Sequence, residues 1–502
     1  MTSDSHDVSR RDFLHTLGAF GLAAPVLGGG ILSHGADDAA PEPLPQRRPG
    51  SVQHSVLVIG AGLAGLAAAW ELDAAGHDVT VLEAKARPGG RVRTLRAPFA
   101  SGLFADAGAA AFSQAYTEAN RYIDALGLER SPWARPGLPT LYHLNGERLA
   151  AGGGQPTEWP YDLSDEERGL GPMGLMKRYL FGPLPTQIAE PGTWSEPPLS
   201  GLDEMSLADY LREQGASEAA VELIADTQFF GARIERTSTL SSALAEFGLF
   251  FGGAPFVLKG GNDRLPTAMA DRLGASMHYG VEVTGLRDTG QGVEVTAERT
   301  DRAETYEADR AVCAVPLGLL RGLTVEPPMP AAKRSAISAV PYVDATRTFL
   351  QVRRAFWYDE EVSGNAFTDL PIGTVYRHPM EDAAGPDQRA IVEGYTIGDA
   401  ATRQATRSDD ALIEHVIELM GRVHPGIEQY VEGAAVKAWG RDPYAAGHVS
   451  WPAPGDVTGH LYALQRPHGR IHFAGEHTTV LRGTMEGALR SGIRAAQEVN
   501  EA

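Results

Sequence analysis

The sequence predicts an α/β fold with more than one domain. The chain has 502 residues, which is too long for one ordinary domain, so two or three domains are expected. An apolar fraction of 43% and 58 glycines are typical of a soluble globular protein with a large core. Residues 56–84 read in order as a buried strand, a glycine-rich turn, a helix and a second strand. This order is the unit of a parallel sheet covered by helices, so it predicts a Rossmann-like domain.

Charge and cysteine content exclude several classes of function. The chain carries 44 Lys and Arg against 64 Asp and Glu, which gives a net charge of −20. Such an acidic balance argues against nucleic acid as a partner and against binding to anionic membranes. Cys313 is the only cysteine, so a disulfide within the chain and a cysteine-based metal site are excluded. We expect no metal centre.

The turn after the first strand predicts a binding site for a diphosphate. Gly60, Gly62 and Gly65 form a G-x-G-x-x-G pattern, with Ala61 after the first glycine. The first glycine permits the tight turn, the second lets the backbone approach a pyrophosphate, and the third packs the helix on the strand. The N–H groups at the start of the helix face the phosphates. With a strand, a helix and a second strand around it, the pattern predicts a bound dinucleotide.

An acidic residue ends the second strand. Glu83 comes 23 residues after Gly60 and is followed by Ala84. A carboxylate at this point accepts hydrogen bonds from both hydroxyls of an adenosine ribose and excludes the extra phosphate of NADP. The motif therefore predicts FAD or NAD.

The residues after Glu83 distinguish between these two dinucleotides. The segment EAKARPGGRVRT contains Arg87, Gly90 and Arg91, and it resembles the second signature of the flavin amine oxidase superfamily. Members of this family include monoamine and polyamine oxidases, flavin-type histone demethylases and L-amino acid oxidases. The resemblance implies FAD as the cofactor, with Arg91 against its pyrophosphate and Arg87 as a helper. A surface role for Arg87 is the alternative.

Four later segments are similar to further parts of the family pattern and follow in its order. They are FVLKGGNDRLPTAMADRL, VEVTGLRDTGQGVEVTAE, YEADRAVCAVPLGLLRGLTVEPPMP and RIHFAGEHTTVLRGTMEGALRSGIRAAQEV. The resemblance implies further FAD contacts at Gly108, Val283, Gly475, Glu476, Thr484 and Met485. Residues 485–499 read as a helix. If it points at the flavin, its first N–H groups and its dipole stabilise the negative charge of the reduced ring; a plain packing helix is the alternative.

The resemblance also divides the chain into two discontinuous domains. It implies an FAD-binding domain formed by residues 51–133, 254–335 and 435–502. The intervening residues, 134–253 and 336–434, form an α+β substrate domain.

The N-terminal segment is expected to lie outside both domains. Arg10 and Arg11 precede an apolar run that Pro25 and several glycines interrupt. This layout predicts a twin-arginine signal peptide over residues 1–35 and a linker over residues 36–50. We therefore expect the twin-arginine machinery to export the folded protein to the periplasm or the outside, without a stable membrane anchor. A chance arginine pair before a tail anchor is the alternative.

Membership of the family implies amine oxidation, in which hydride leaves the carbon next to nitrogen for flavin and O2 is reduced to H2O2. Relatives orient the amine with two aromatic side chains before the flavin, and this chain lacks both: Val449 occupies one of these positions and Thr484 the other. Other residues are then expected to line the substrate pocket beside Val449, although each is equally explained as part of the core. These candidates are Trp439, Tyr444, Trp451, Phe229 and Phe230.

His448 and Arg347, together with Thr484, are the expected catalytic residues. His448 stands where monoamine oxidases carry the cysteine that bonds to the flavin. A noncovalent polar contact, a base near the substrate and a covalent histidyl link are therefore open for it, and noncovalent FAD is the expectation. Arg347 replaces a lysine that holds a water near the flavin. Its fixed fork of donors suits an anionic substrate group, or equally a carboxylate at the domain seam.

An arginine of some relatives is absent from this chain. L-amino acid oxidases of the venom type carry it after the glycine of DAGAAAF to bind the substrate carboxylate, but Gly108 is followed by three alanines. An α-amino acid is therefore disfavoured unless Arg347 substitutes. The sequence predicts an exported, FAD-dependent oxidase of small-molecule amines. The alternatives are an L-amino acid oxidase that uses Arg347, and a non-catalytic FAD-binding redox partner.

Overall fold

The computed structural model describes residues 52–133, 137–152, 157–185, 196–227, 231–242, 254–300, 302–378 and 386–502. The predicted signal peptide and linker, and the candidates Phe229 and Phe230, lie outside these residues. None of the helices within the described ranges is both long and apolar enough to span a membrane. The same ranges contain no group of three or more His, Cys, Asp and Glu side chains placed to hold a metal ion.

The described residues form strands and helices, which are numbered here in chain order. The strands are β1 Ser55–Ile59, β2 Asp78–Glu83, β3 Thr94–Leu95, β4 Ala105–Asp106, β5 Phe112–Ser113, β6 Arg130–Pro132, β7 Thr140–Leu144, β8 Glu147–Ala151, β9 Pro255–Leu258, β10 Met277–Tyr279, β11 Glu282–Asp288, β12 Val293–Arg299, β13 Arg302–Ala308, β14 Arg310–Cys313, β15 Thr324–Glu326, β16 Tyr342–Val343, β17 Ala345–Val352, β18 Ala366–Thr368, β19 Thr374–Arg377, β20 Ala390–Ile397, β21 Val431–Ala438, β22 Val449–Ser450 and β23 Ile471–Phe473. The α-helices are α1 Leu63–Ala74, α2 Thr117–Ala125, α3 Gly171–Met176, α4 Leu199–Asp203, α5 Leu207–Glu213, α6 Glu218–Thr227, α7 Thr239–Ser242, α8 Arg264–Leu273, α9 Leu317–Leu320, α10 Ala331–Ala339, α11 Asp399–Gln404, α12 Asp409–Val423, α13 Asp456–Gln465 and α14 Met485–Glu501.

A five-stranded parallel sheet carries the glycine-rich turn. Its strand order is β10–β2–β1–β14–β23, so its strands come from three distant parts of the chain. Strand β1 is almost wholly apolar because both faces of such a sheet are covered. Helices α1 and α14 pack closely: a Cβ at Gly492 of α14 would lie 2.1 Å from the carbonyl oxygen of Ala64. The predicted Rossmann-like domain of discontinuous segments is confirmed.

A seven-stranded sheet forms the second domain. Its order is β21–β17–β20–β19–β18–β7–β8, and its pairs are antiparallel except for β18 with β7. Strands β17 and β20 are buried almost throughout. Helix α12 buries Leu412, Val416 and Leu419 in an apolar cluster with residues of this sheet. A second cluster joins Tyr142 of β7 to helices α3, α5 and α6. This combination of a mixed sheet with separate helices is the predicted α+β arrangement.

Candidate active site

The glycine-rich turn between β1 and α1 forms an open cradle. Gly60 has φ of +97°, which favours glycine, and a Cβ at Gly65 would lie 1.9 Å from the Gly60 carbonyl oxygen. Gly65 is therefore required for packing. Gly62 differs, because a Cβ there would meet nothing within 4 Å. The space beside Gly62 is thus available to a ligand rather than filled by the protein.

The chemistry of the cradle suits an anion. Gly62 is the N-cap of α1, and no side chain caps the first N–H groups of this helix. These donors and the helix dipole attract negative charge. Gly90 lies opposite, where its Cβ would approach the Gly62 Cα to 3.4 Å. The backbone on both sides can therefore come close to a diphosphate.

Glu83 ends β2 beside the cradle. Its carboxylate accepts hydrogen bonds from the amides of Ala61, at 2.6 Å, and Lys85, at 2.9 Å. Burial raises the pKa of Glu83, and these two amides partly offset that rise. Ala84 follows it at partial exposure. The carboxylate thus lies where the motif predicts the adenosine ribose, held by the backbone of the turn itself.

The two predicted phosphate-side arginines have different surroundings. Arg87 donates to the carbonyls of Pro88, at 2.9 Å, and Gly90, at 3.1 Å, so it shapes the loop. Arg91 donates through Nη1 to the His448 carbonyl, at 2.8 Å, and to Glu476 Oε1, at 2.9 Å. Arg91 therefore connects the cradle to the segment that carries His448.

Glu476 is a buried acceptor with four donors. Besides Arg91 it accepts from the Ser450 amide (3.3 Å), the Ser450 hydroxyl (2.6 Å) and the Gly483 amide (3.1 Å). Burial opposes its ionisation, but Arg91 and these donors lower the pKa of Glu476 to about 2. Gly475, with φ of +135°, donates its amide to the Ser491 hydroxyl at 2.9 Å. The acidic turn therefore ties β22 to the start of α14.

Helix α14 begins at this turn. The Thr484 hydroxyl accepts from the Gly487 amide at 2.9 Å and donates to the Leu481 carbonyl at 2.7 Å, so it serves as the N-cap. Met485 is buried at the first position. Glu486 points elsewhere and accepts from the first amides of α2, at 3.1 and 3.0 Å. The Glu486 carboxylate therefore does not cover the first N–H groups of its own helix, α14.

Arg347 on β17 lies in a buried ion pair. Its Nε and Nη2 donate to the two carboxylate oxygens of Glu393 on β20, at 2.8 and 2.6 Å. Both residues are almost fully buried. Nη1 donates to the carbonyls of Asp106, at 2.7 Å, and Gly108, at 2.6 Å. Of the two roles that the sequence leaves open, the structure places Arg347 against a carboxylate at the domain seam.

Trp439 binds the same turn, residues 106–108, that Arg347 binds. Its Nε1 donates to the carbonyl of Ala107 at 2.8 Å. Three successive carbonyls, of residues 106–108, are thus bound by Arg347 of β17 and by Trp439, which directly follows β21. Gly108 also packs against Arg91, because a Cβ there would lie 1.7 Å from the Arg91 carbonyl oxygen. The 106–108 turn is therefore fixed between the seven-stranded sheet and the cradle.

His448 lies between Arg91 and Tyr395. Its Nε2 is 3.2 Å from the Tyr395 hydroxyl, and the two rings meet edge to face. Burial, with a smaller contribution from Arg91 and Arg347, lowers the pKa of His448 to about 3. Its Nδ1 has no hydrogen-bond partner among the described residues. His448 is therefore a neutral imidazole with one ring nitrogen available.

The other residues predicted to line the substrate pocket have different surroundings. Val449 is buried and its Cγ2 would lie 2.7 Å from a Cβ at Gly483. Trp451 donates to the Thr237 hydroxyl at 2.7 Å and belongs to the apolar cluster of the second domain. Tyr444 contacts Glu282 of β11 at 3.2 Å, away from His448. The predicted residue Val283 lies next to Glu282 on the same strand.

Residues that are far apart in the sequence meet at the seam between the cradle and the seven-stranded sheet. Glu393 and Tyr395, which were not predicted, lie there with them. The predicted residues that meet at the seam are Arg91, Gly108, Arg347, Trp439, His448, Val449, Glu476 and Thr484. Sequence reasoning missed Glu393 and Tyr395. One signal was available for Glu393, since a lone acid inside the apolar run AIVEGYTI of a strand indicates a buried partner.

Comparison with known proteins assigns this arrangement to a family. The family model described as "Flavin containing amine oxidoreductase" matches residues 63–500. The chain is 28% identical over 457 residues to an L-amino-acid oxidase of Demansia vestigiata, covering 89% of this chain and 87% of that protein. It is also 28% identical over 465 residues to an L-amino-acid oxidase of Siganus canaliculatus, covering 90% and 86% of the two chains.

Solved structures of amine oxidases share the fold. A putrescine oxidase bound to putrescine superposes with a TM-score of 0.75 at 22% identity, covering 90% of this chain and 100% of that one. A cyclohexylamine oxidase of Brevibacterium oxydans IH-35A gives a TM-score of 0.74 at 23% identity, with 90% and 99% coverage. The open cradle, the uncapped helix and Glu83 fit the adenine dinucleotide that such a family requires. The chain belongs to the family of flavin-containing amine oxidoreductases and is an FAD-dependent enzyme.

Proposed function

We propose that this protein is an oxidase that converts a small amine or amino acid to an imine and reduces O2 to H2O2. In this reaction the C–H bond next to nitrogen breaks with its electron pair, and a C=N bond forms. Water then hydrolyses the imine to a carbonyl compound and ammonia or an amine. O2 takes up the two electrons and two protons and leaves as H2O2.

The observation that carries this proposal is the position of His448. A neutral imidazole, whose Nδ1 has no partner within the described part of the chain, lies beside the contacts that join Arg91 to Glu476. Because the nitrogen of an oxidisable amine is polar and must be oriented in a mostly apolar pocket, one fixed donor or acceptor suffices to place it. Tyr395 holds the imidazole ring from the other side.

The cofactor would be held by groups of the cradle. Gly60, Gly62 and the start of α1 suit its diphosphate, Glu83 its ribose, and the start of α14 the ring edge where charge develops. When bound, FAD supplies the acceptor for the hydride and passes the electrons to O2. We propose noncovalent binding, because these groups can hold the diphosphate, the ribose and the ring edge by polar contacts, without a bond to His448.

The contacts of Arg347 bear on the choice between amine and amino acid. Its guanidinium donates to Glu393 and to the Asp106 and Gly108 carbonyls, so four of its five N–H groups are in use. It is therefore poorly placed to bind a substrate carboxylate. An amino acid remains the second candidate, because the curated relatives named above are called L-amino-acid oxidases. Its carboxylate then needs a different partner.

Oxidation of a panel of compounds by the purified enzyme tests this proposal. Peroxide release is measured with primary amines, diamines and L-amino acids in air. We expect peroxide with at least one class. A yellow protein that yields none with any of them would instead be the non-catalytic FAD-binding redox partner.

We propose that the protein is exported already folded, by the twin-arginine route, to the periplasm or beyond. The support is the arginine pair and the interrupted apolar run at the N-terminus. Replacing Arg10 and Arg11 together by Lys should leave yellow protein in the cytoplasm and remove it from the exported fraction. Unchanged export by this variant would exclude the route.

A further inference from the structure

A cavity lies next to the candidate active site, and none of the contacts described so far fills it. It has a volume of about 440 Å³, which is within the range of small-molecule sites, and it opens to the surface. Segments from both parts of the seven-stranded domain and from the loop before His448 form its walls. Its lining comprises Arg233, residues 341–344, residues 398, 399 and 402, Gly440, Ala446 and Gly447.

The inner wall of this cavity is also the outer wall of the candidate active site. Gly447 lines the cavity, and the next residue is His448. The His448 amide donates to the carbonyl of Val343, another lining residue, at 2.8 Å. The Tyr342 ring lies against Gly447, where a Cβ would come within 2.6 Å of it. On its other side the ring faces the Arg91 guanidinium, with 5.8 Å between Cζ and the ring centroid.

Among the described residues that line this cavity, Arg233 is the one cation. Its side chain is 19% exposed, and among the residues that the structure describes its buried Nε has no hydrogen-bond partner. The ion pair that it makes is long, at 3.4 Å from Nη1 to Asp399 Oδ1. Burial lowers the pKa of Arg233. A buried donor without an acceptor is costly, and a planar guanidinium edge matches a carboxylate in bidentate geometry.

Two carboxylates line the same cavity. Asp399 is at its mouth, with a side chain 69% exposed. Asp344 lies deeper, where its Oδ1 accepts from the Ala345 amide at 2.8 Å. The lining thus carries one positive and two negative side chains. A ligand with one carboxylate and two ammonium groups is complementary to this arrangement.

We propose that this cavity binds an α-amino acid with a cationic side chain, the substrate of the oxidase, before it reaches His448. The carboxylate pairs with Arg233, and the two cationic groups lie near Asp344 and Asp399. A diamine lacks the carboxylate that would pair with Arg233, so it leaves the guanidinium without an added partner. This proposal rests on the oxidase function and narrows its substrate class.

Binding of compounds that cannot be oxidised at Cα tests the cavity apart from turnover. 2-Methyl-L-lysine and 2-methylalanine have no hydrogen on Cα. Their dissociation constants are measured by calorimetry without O2, on enzyme whose flavin has first been reduced with dithionite, so that the ε-amine of 2-methyl-L-lysine is not oxidised either. We expect Arg233→Met to weaken both at least 10-fold. Arg236→Gln is the matched control, since Arg236 is exposed on the same short helix and does not line the cavity. Asp399→Asn should weaken 2-methyl-L-lysine more than 2-methylalanine.

Turnover supplies the second readout. With L-lysine, Arg233→Met should raise KM at least 10-fold and leave kcat within about 2-fold, whereas kcat/KM for cadaverine should not fall. Equal binding by the wild type and Arg233→Met, or a wild type that binds neither compound, would overturn the proposal. Oxidation of amines without any oxidation of L-lysine would overturn it too, yet leave the oxidase function standing. Failure to oxidise either class would instead remove the oxidase function, and the binding experiment would still decide the cavity.

Discussion

Arg347 and Glu393 form a bidentate ion pair buried between the seven-stranded sheet and the cradle. The two N–O distances are 2.8 and 2.6 Å, and the side chains are 2% and 0% exposed. Burial opposes the ionisation of Glu393, but Arg347 and the nearby His378 lower its pKa to about 2. Since the same guanidinium binds the Asp106 and Gly108 carbonyls, the pair joins the two domains at the candidate active site.

Glu393→Gln should destabilise the protein strongly. The substitution leaves a buried guanidinium without its counter-charge, so we expect the free energy of unfolding to fall by about 3–5 kcal/mol. Urea denaturation, followed by flavin fluorescence and circular dichroism, measures the loss. Asp359→Asn is the control, because Asp359 forms an equally bidentate pair with Arg354 but is 52% exposed. Its cost should stay below about 1 kcal/mol. Equal losses in both variants would contradict the role assigned to burial.

Gly62→Val should give a folded protein without flavin. The added side chain enters the space beside the start of α1, where a Cβ meets no protein atom, and φ at this residue is an ordinary −71°. Circular dichroism should therefore match the wild type, while the absorbance of bound flavin is lost. Gly65→Val is the contrasting variant: its Cβ would lie 1.9 Å from the Gly60 carbonyl oxygen, so it should fail to fold. A yellow Gly62→Val protein would place the diphosphate elsewhere.

Part of this site could be predicted from the sequence because its signals are local. The turn at Gly60, the acid at Glu83 and the start of α14 each depend on neighbouring residues and on the period of a strand or helix. The choice between the two roles of Arg347 could not be made in this way. Glu393 is 46 residues away, and the pair depends on the antiparallel register of β17 with β20.

The position of Tyr444 shows the same limit. Its place in the segment WGRDPYAAGHVSW gives no direction for its side chain, which contacts Glu282 on β11. Tyr395 reaches His448 only because β20 lies against β17 in the folded sheet. Such contacts between distant segments depend on tertiary packing. The neighbouring residues in the sequence therefore do not predict them.

His448 should make the protein less stable in mild acid. Its pKa is lowered from 6.5 to about 3, so the unfolded chain binds a proton at this ring before the folded chain does. The resulting loss of stability begins as the pH falls through about 6.5 and is complete near pH 3. In His448→Gln, the difference in free energy of unfolding between pH 7 and pH 5 should shrink by up to about 2 kcal/mol.

Urea denaturation at the two pH values provides the measurement. The matched control repeats the measurement between pH 8 and pH 7, where the His448 imidazole is mostly neutral in both the folded and the unfolded chain. Over that interval His448→Gln and the wild type should show nearly the same difference. A His448→Gln protein with the wild-type difference would show that the ring is not held neutral.

The flavin should separate from the polypeptide on boiling in detergent. We expect this because the cradle, Glu83 and the start of α14 can hold the cofactor by polar contacts, without a bond to His448. Gel electrophoresis with flavin fluorescence detects any flavin that stays with the protein band. A fluorescent band that is lost in His448→Gln would establish the covalent histidyl link instead.

Anaerobic titration of the purified protein with amines and L-amino acids tests the central claim most directly. The protein should be yellow, and its flavin absorbance near 450 nm should bleach with a substrate of one of these classes and return when air is admitted. A protein that stays colourless after flavin is supplied, or whose yellow colour no amine or amino acid bleaches, would contradict the account.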